Sequence, residues 1–256
     1  MSKKFTVITA AYNSEKTIER TINSILSQSQ KNIEFIIVDG ASTDKTKNII
    51  KSFESVFNKS EISYKWISEP DKGIYDAWNK GLNMSTGDWI SFLGSDDYYK
   101  PNAIENYNAA IKESNDNDID WVYSEVEFTD GKRSKKLDSI WSWKTFRRNI
   151  TITPAHVGSF HNKKYFKKYG SFNTNYKIAG DYELLLRARH NLKTLKVNHI
   201  TAVMRADGVS NQNFSKVLKE TLKAKTKSGK IPVLLALYDY IYMRLLTLIK
   251  RLIGKI

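Results

Sequence analysis

The first 97 residues alternate short apolar runs with segments whose apolar residues recur at helical spacing. The apolar runs occupy residues 5–9, 33–38, 62–67 and 89–93, and the helical segments between them carry Ile18, Ile22, Ile25, Ile49, Ile50, Ala77 and Trp78. Alternation of strands and helices is typical of a parallel sheet with right-handed crossover connections. The sequence therefore predicts an α/β fold that begins with a Rossmann-like half.

Two of the predicted strands end in acidic residues. Asp39 follows the run 33–38, and Asp96 and Asp97 follow the run 89–93. In an open α/β sheet, ligands bind at the carboxyl ends of the strands. Two adjacent carboxylates there suit Mg²⁺ or Mn²⁺ and, through the cation, a diphosphate. An isolated Ser-Asp-Asp triplet is more typical of a turn, and it is the second acidic turn at Asp39 that favours a binding site.

The composition narrows the class of chemistry. The 256 residues contain no cysteine, which excludes a disulfide framework, a thiolate metal site and a cysteine nucleophile. The N-terminus enters the first strand without the apolar stretch of a signal peptide, so we expect a cytoplasmic protein. The net charge is +14, and residues 211–256 hold ten Lys or Arg against two acids. Such a charge favours nucleic acid, an anionic membrane or a phosphate-bearing substrate as a partner.

The last 26 residues are the most apolar part of this basic region. Residues 231–256 form a candidate helix that is interrupted by Asp239, Arg244, Lys250, Arg251 and Lys255. No uncharged run reaches the roughly 18–20 residues that a membrane span requires. The pattern is typical of a helix lying in the headgroup region of an anionic membrane, or of one that packs on a protein partner, including a second copy of the chain.

Two longer motifs carry a resemblance to a known family. Residues 68–81 have the sequence SEPDKGIYDAWNKG, and residues 86–97 have the sequence TGDWISFLGSDD. Together with Tyr12-Asn13 and the segment AGDYEL at 179–184, they resemble glycosyltransferase family 2, inverting enzymes with a GT-A fold. Within that family they look like the type that builds bacterial capsule, exopolysaccharide and O-antigen. The resemblance covers about residues 5–210.

The resemblance implies a division of the chain. Residues 1–99 would form the nucleotide-sugar-binding half and residues 100–210 an acceptor-binding half with a mixed sheet. Residues 211–256 would be a basic extension of amphipathic helices.

The resemblance also implies roles for individual residues. The nucleotide-sugar ligands would be Thr9, Tyr12, Asp39, Asp71, Lys80 and Asp96. Asp97 would be the principal ligand of Mn²⁺ or Mg²⁺, with His199 as a third ligand, and Asp181 would be the catalytic base. A cation between a carboxylate and a diphosphate stabilises the leaving group as a Lewis acid. A carboxylate on the opposite side accepts the proton of the acceptor hydroxyl, so the predicted reaction is one displacement with inversion.

The predicted donor is a nucleotide sugar, with a UDP-sugar favoured, and the predicted acceptor is a saccharide carried on a polyprenyl diphosphate. The basic C-terminal helix would meet anionic lipid and acceptor phosphate at the inner face of the cell membrane. A soluble or protein acceptor is the alternative. A third hypothesis is a nucleic-acid-binding protein, because aromatic and basic residues at 141–148 could stack on bases. No recognised nucleic-acid motif accompanies them, so we expect no nucleic-acid partner.

Some positions depart from the family pattern or allow simpler roles. Gly180 stands where many members have Glu, and residues 207–210 replace a Gly-Gly-x-Ser motif with Asp-Gly-Val-Ser. The simpler roles are a helix N-cap for Asp181, core packing for Tyr12 and a solvated helix position for Lys80.

Overall fold

Nine strands form one sheet in the computed structural model, which describes residues 3–114, 118–148, 153–206 and 214–252, with side chains up to residue 249. The strands are β1 (Phe5–Ala11), β2 (Ile33–Asp39), β3 (Ser63–Ser68), β4 (Trp89–Gly94), β5 (Tyr98–Tyr99), β6 (Trp121–Thr129), β7 (Ser134–Leu137), β8 (Ser159–Asn162) and β9 (Thr194–Arg205). The helices are α1 (Ile18–Leu26), α2 (Thr46–Ser52), α3 (Glu54–Phe57), α4 (Ile74–Met84), α5 (Ala103–Glu113), α6 (Trp143–Phe146), α7 (Lys163–Tyr169), α8 (Gly180–Ala188), α9 (Phe214–Lys227) and α10 (Val233–Leu252). Single 3₁₀ turns occupy His156–Gly158 and Arg189–Asn191.

The first half is the predicted parallel sheet. Its strands lie in the order β3-β2-β1-β4, and all three pairings are parallel. Ala11 pairs with Asp39 on one side of β1, and Ala10 pairs with Gly94 on the other. This register places the turns after β1, β2 and β4 at one edge of the sheet.

The second half extends the same sheet with mixed pairing. β8 pairs antiparallel with β4 and β6, β9 pairs parallel with β6, and β5 pairs antiparallel with β9. The predicted mixed sheet is therefore confirmed. The bridge between the halves, β8, has no sequence signal because it is four residues long and pairs with β4 through only two residues.

Helices cover both faces of the sheet, and they sort the core into two clusters. Phe5 and Val7 of β1 belong to one cluster with apolar residues of α1 and α5, whereas Ile8 belongs to the other with residues of α4 and α8. This alternation follows from the two-residue period of a strand. Because α4 and α8 pack on the same face, their N-terminal turns come close to each other.

The C-terminal extension is helical, as predicted, and it is attached to the rest of the protein. α9 packs against α8 and α10. The Lys225 ammonium lies 2.9 Å from a carboxylate oxygen of Asp239, and both side chains are almost fully buried. Arg148 pairs with the other oxygen of Asp239. Among the described residues, no helix is both long and apolar enough to cross a membrane.

Candidate active site

The first part of the site is a loop at the end of β2 that is organised by Asp39. The fully buried Asp39 carboxylate accepts hydrogen bonds from the Ser42 amide at 3.2 Å, the Ser42 hydroxyl, and the Ser68 hydroxyl at 2.7 Å. Gly40 follows, and its amide donates to the Ala11 carbonyl at 2.9 Å. The loop is thereby fixed to the ends of β1 and β3.

Tyr12 and Asp71 converge on Gly40. A Cβ added at Gly40 would lie 2.5 Å from Asp71 Oδ2 and 3.4 Å from Tyr12 Cδ2, so only glycine allows this approach. The Tyr12 side chain is 64% exposed, which rules out core packing as its role. The Asp71 carboxylate also accepts the Gly73 amide at 2.7 Å. Three of the predicted nucleotide ligands, Tyr12, Asp39 and Asp71, thus lie around Gly40.

Lys80 contacts the two residues that precede Asp71. Its ammonium lies 2.8 Å from a Glu69 carboxylate oxygen and donates to the Pro70 carbonyl at 2.7 Å. These contacts hold the segment that leads to Asp71. Lys80 is therefore placed to fix the loop that carries a candidate ligand.

Thr9 lies inside the sheet and not at the edge where the other predicted ligands are found. It is fully buried in β1 between Ile37 and Leu93, two residues before the strand ends. Its hydroxyl has no hydrogen-bond partner in the structure. The structure gives no geometric support for the predicted nucleotide contact of Thr9.

The second part of the site is the acid pair after β4. The carboxylates of Asp96 and Asp97 both approach Gly94, where a Cβ would lie 2.9 and 2.8 Å from them. The Asp97 carboxylate accepts the Arg205 amide at 2.9 Å. Burial and the charge of Asp96 raise the pKa of Asp97 to about 7. Two carboxylates forced together in a shielded turn favour a cation between them.

Helix α1 holds the backbone of this turn. The Thr21 hydroxyl contacts the carbonyls of Asp97 and Ser95 at 2.7 and 3.0 Å, and the Arg20 guanidinium donates to the Asp96 carbonyl at 2.9 Å. Arg20 also lies over the Tyr98 ring, 4.7 Å from its centre. Arg20 and Thr21 are not predicted as site residues from the sequence, because polar positions on an amphipathic helix resemble any solvated face.

The third part of the site is Asp181, at the second position of α8. The helix begins at Gly180 with Ala179 as its N-cap residue, so Asp181 is not the N-cap. The Tyr75 hydroxyl at the start of α4 lies 3.3 Å from Asp181 Oδ1 and donates to the Ile178 carbonyl at 2.6 Å. This contact joins Asp181 to the loop that contains Asp71.

Gly180, a departure from the family pattern, is explained by the same tyrosine. A Cβ at Gly180 would lie 2.6 Å from Tyr75 Cε2. The Tyr75 ring therefore occupies the space that a side chain at position 180 would need.

Two histidines lie in an aromatic layer near Asp181. Nε2 of His156 and Nε2 of His161 are 3.1 Å apart, and the His156 ring stacks on Phe92 with a centroid separation of 5.7 Å. Burial lowers the pKa of both histidines, and the charge of Asp181 opposes this shift at His156. Both rings are thus held neutral near physiological pH.

The structure places His199, the predicted third metal ligand, apart from the acid pair. His199 is exposed in the bulge of β9, between Val197, which pairs with Ser124, and Ile200, which pairs with Glu125. Arg205, which contacts Asp97, lies six residues further along the strand, or roughly 20 Å at about 3.3 Å per residue. The described residues contain no cluster of three His, Asp or Glu side chains that could hold a metal ion.

The acid pair nevertheless fits a divalent cation. Asp96 and Asp97 offer hard oxygen ligands, and their mutual repulsion is relieved by a positive ion. Mg²⁺ and Mn²⁺ are commonly bound by one or two carboxylates together with substrate phosphates.

Residues 207–210, the other departure from the family pattern, lie outside the described residues.

Comparison with known sequences gives one family. The model for Glycosyl transferase family 2 matches residues 6–174. A PGL/p-HBAD biosynthesis glycosyltransferase of Mycobacterium bovis is 28% identical over 232 residues, which cover 88% of this chain and 86% of that protein. The putative teichuronic acid biosynthesis glycosyltransferase TuaG of Bacillus subtilis is 38% identical over 99 residues, or 39% of this chain and 38% of that protein.

Comparison with solved structures gives the same fold. S. aureus TarS 1–349 in complex with UDP-GlcNAc superposes with a TM-score of 0.67 at 20% identity, covering 88% of this chain and 67% of that chain. In a longer TarS structure the match spans 40% of the neighbour. The mannosyltransferase PcManGT from Pyrobaculum calidifontis, in complex with GDP-Man and Mn²⁺, has a TM-score of 0.68 at 16% identity, covering 94% of this chain and 70% of that chain. The predicted fold class is thereby confirmed.

Proposed function

Because the chain belongs to glycosyl transferase family 2, and is thus a glycosyltransferase, we propose that it moves a sugar from a UDP-sugar to a saccharide acceptor with inversion. The observation that carries this proposal is the continuity of the site. One sheet edge holds Asp39, Asp96 and Asp97, and the segment from Asp71 to Tyr75 connects that edge to Asp181.

The nucleobase is proposed to bind beside Gly40. Tyr12 presents an exposed ring for stacking, and Asp71 presents a carboxylate at the same place. Asp39 accepts three protein hydrogen bonds, which leaves about one of its four lone-pair sites for the base. UDP-GlcNAc in TarS and GDP-Man in PcManGT support a nucleotide-sugar donor.

The diphosphate is proposed to bind at the acid pair. Asp97, aided by Asp96, would hold Mn²⁺ or Mg²⁺ there, and the Mn²⁺ in the PcManGT complex supports this assignment. A divalent cation at that position supplies Lewis-acid stabilisation of the departing nucleoside diphosphate. Arg20 and Thr21 keep the turn in place while charge develops.

Asp181 is proposed to act as the general base. Its carboxylate accepts the proton from the acceptor hydroxyl as that oxygen attacks the anomeric carbon on the face opposite the diphosphate. The C–O bond to the acceptor forms while the C–O bond to the diphosphate breaks, so the configuration inverts. The Tyr75 hydroxyl lies 3.3 Å from Asp181 Oδ1 and donates to the Ile178 carbonyl, which holds the backbone that leads to the base.

The acceptor is proposed to be a growing cell-surface polysaccharide on a polyprenyl diphosphate. The teichuronic acid assignment of TuaG supports a surface polymer. α10 carries a row of exposed apolar side chains, including Leu237, Ile241 and Leu245, in the basic C-terminal region. An apolar face flanked by cations suits the surface of an anionic membrane, which would place the enzyme peripherally at the cytoplasmic face.

The test of this function is the variant Asp181→Asn. With the UDP-sugar that gives the largest thermal shift in the presence of Mn²⁺, we expect transfer to fall about 10²–10⁴-fold. Donor binding, measured by the same thermal shift, stays unchanged. The control is Asp138→Asn, the same change at an exposed carboxylate after β7. Near-normal turnover of Asp181→Asn, or the absence of a thermal shift with any nucleotide sugar, contradicts the proposal.

A further inference from the structure

One carboxylate joins the C-terminal extension to the segment that precedes Asp181. Glu220 of α9 accepts hydrogen bonds from three consecutive backbone amides: Lys177 at 3.0 Å, Ile178 at 2.9 Å and Ala179 at 3.0 Å. Lys177 and Glu220 are 43 residues apart in the chain. A carboxylate that binds three successive N–H groups defines the path of that backbone segment, because charged acceptors make the stronger protein hydrogen bonds.

The segment held by Glu220 leads directly into α8. The N-cap residue Ala179 has no side chain that could cap the helix, and Glu220 accepts the amide of Ala179 itself and those of the two residues before it. A negative charge at this end of a helix is also favoured by the helix dipole. Glu220 therefore fixes the backbone that enters α8, and Asp181 is the second residue of that helix.

The same segment is fixed on its other side by the loop that contains Asp71 and by the start of α4. The Lys177 ammonium donates to the Lys72 carbonyl at 2.6 Å, and the Ile178 carbonyl accepts the Tyr75 hydroxyl at 2.6 Å. Residues 177–179 thus lie between α9 and the start of α4. Movement of α9 would shift Asp181 relative to the loop that contains Asp71.

We propose that Glu220 is a positioning residue for the base, so that α9 is part of the catalytic apparatus. This inference rests on the proposed role of Asp181. Glu220 acts through the backbone of residues 177–179 and does not touch the substrate. Its removal should leave the residues around Gly40 in place and should misplace the base, and small misplacements of a catalytic group lower the rate strongly.

The experiment uses the full chain and compares Glu220→Gln and Glu220→Ala with the parent enzyme. We expect kcat to fall about tenfold for Glu220→Gln and up to about 100-fold for Glu220→Ala. The KM for the donor should change less than about twofold, since Tyr12, Asp39 and Asp71 keep their contacts. Glu61→Gln, the same change at an exposed position before β3, is the matched control and should leave kcat unchanged.

Hydrogen–deuterium exchange gives a second measurement that does not depend on turnover. In Glu220→Ala, amide protection should decrease for residues 177–182 and remain unchanged in β1 and β2. Unchanged kcat, or unchanged protection of 177–182, overturns the role of Glu220. A parent enzyme without transfer activity refutes the proposed function, whereas an active parent with an equally active Glu220→Ala refutes only the positioning role.

Discussion

Asp97 is a candidate site residue whose buried negative charge lowers the stability of the folded protein. Its carboxyl group lies in a shielded turn beside a second carboxylate, and its pKa is raised to about 7. A group whose pKa is higher in the folded than in the unfolded state stabilises the fold below the unfolded value of about 4, and this stabilisation is lost as the pH rises through 7. Binding sites often retain a charge that destabilises the fold when ligand binding requires that charge.

We therefore predict that Asp97→Asn is more stable than the parent enzyme at pH 8 without metal. The advantage should grow by roughly 1–3 kcal/mol between pH 5 and pH 8, because Asn removes the buried charge. Urea unfolding in the presence of a chelator, at several pH values, measures this difference. A stability difference that does not vary with pH would show that Asp97 is not the titrating group.

At the scale of elements, the contact between α4 and α8 decides where the base lies. Both helices pack on the same face of the sheet, and their N-termini meet at Tyr75 and Gly180. The Tyr75 ring is almost fully buried and packs against Phe172, with centroids 5.4 Å apart. The ring cannot easily move aside, so position 180 must lack a side chain.

Gly180→Ala is expected to destabilise the protein by about 1–3 kcal/mol, the usual cost of overpacking, and to lower transfer. In a Tyr75→Ala background, the additional cost of Gly180→Ala should be less than half as large, because the clashing ring is gone. A double-mutant cycle by urea unfolding measures this coupling. Additive effects of the two substitutions would contradict the proposed steric conflict.

At the scale of the whole molecule, the basic C-terminal region both packs on the helix that carries Asp181 and presents exposed apolar side chains. α9 contacts α8, while buried Lys225 and Asp239 pair α9 with α10. α10 keeps one side on the protein through Ala236 and Asp239 and leaves Ile241 and Leu245 about half exposed. Contiguous exposed apolar side chains of this kind mark interaction surfaces.

Parent protein is expected to sediment with anionic vesicles, and the variant Ile241→Glu/Leu245→Glu is expected to bind them at least about tenfold more weakly. Two apolar contacts are replaced by charges that an anionic surface repels. Val56→Glu, which changes an exposed apolar residue of α3, is the control and should bind like the parent. The membrane role is contradicted if the parent protein does not sediment with vesicles. If it instead forms an oligomer that the double substitution dissociates, α10 is a protein interface.

The alternation of strand and helix and the acids at the carboxyl ends of β2 and β4 could be predicted, because the period of a local pattern fixes which residues end a strand. The positions of Asp39, Asp96 and Asp97 follow from this pattern and from the parallel order of the strands. The roles proposed for Tyr12, Asp71 and Asp181 depend on family motifs, and only the structure shows which residues surround them.

Contacts between residues far apart in the chain could not be predicted from the sequence. His199 lies six residues before Arg205, whose amide contacts Asp97, and no local pattern encodes which part of β9 meets the turn after β4. The hydrogen bond between Tyr75 and Asp181 joins residues 106 positions apart, and Glu220 reaches the same segment from a helix that looks merely basic in sequence. The strands of the first half and the acids that follow two of them are predictable from the sequence, since they depend on neighbouring residues. Packing of helices on one face of the sheet determined how the base is held, since that depends on side-chain volumes and hydrogen bonds between elements far apart in the chain.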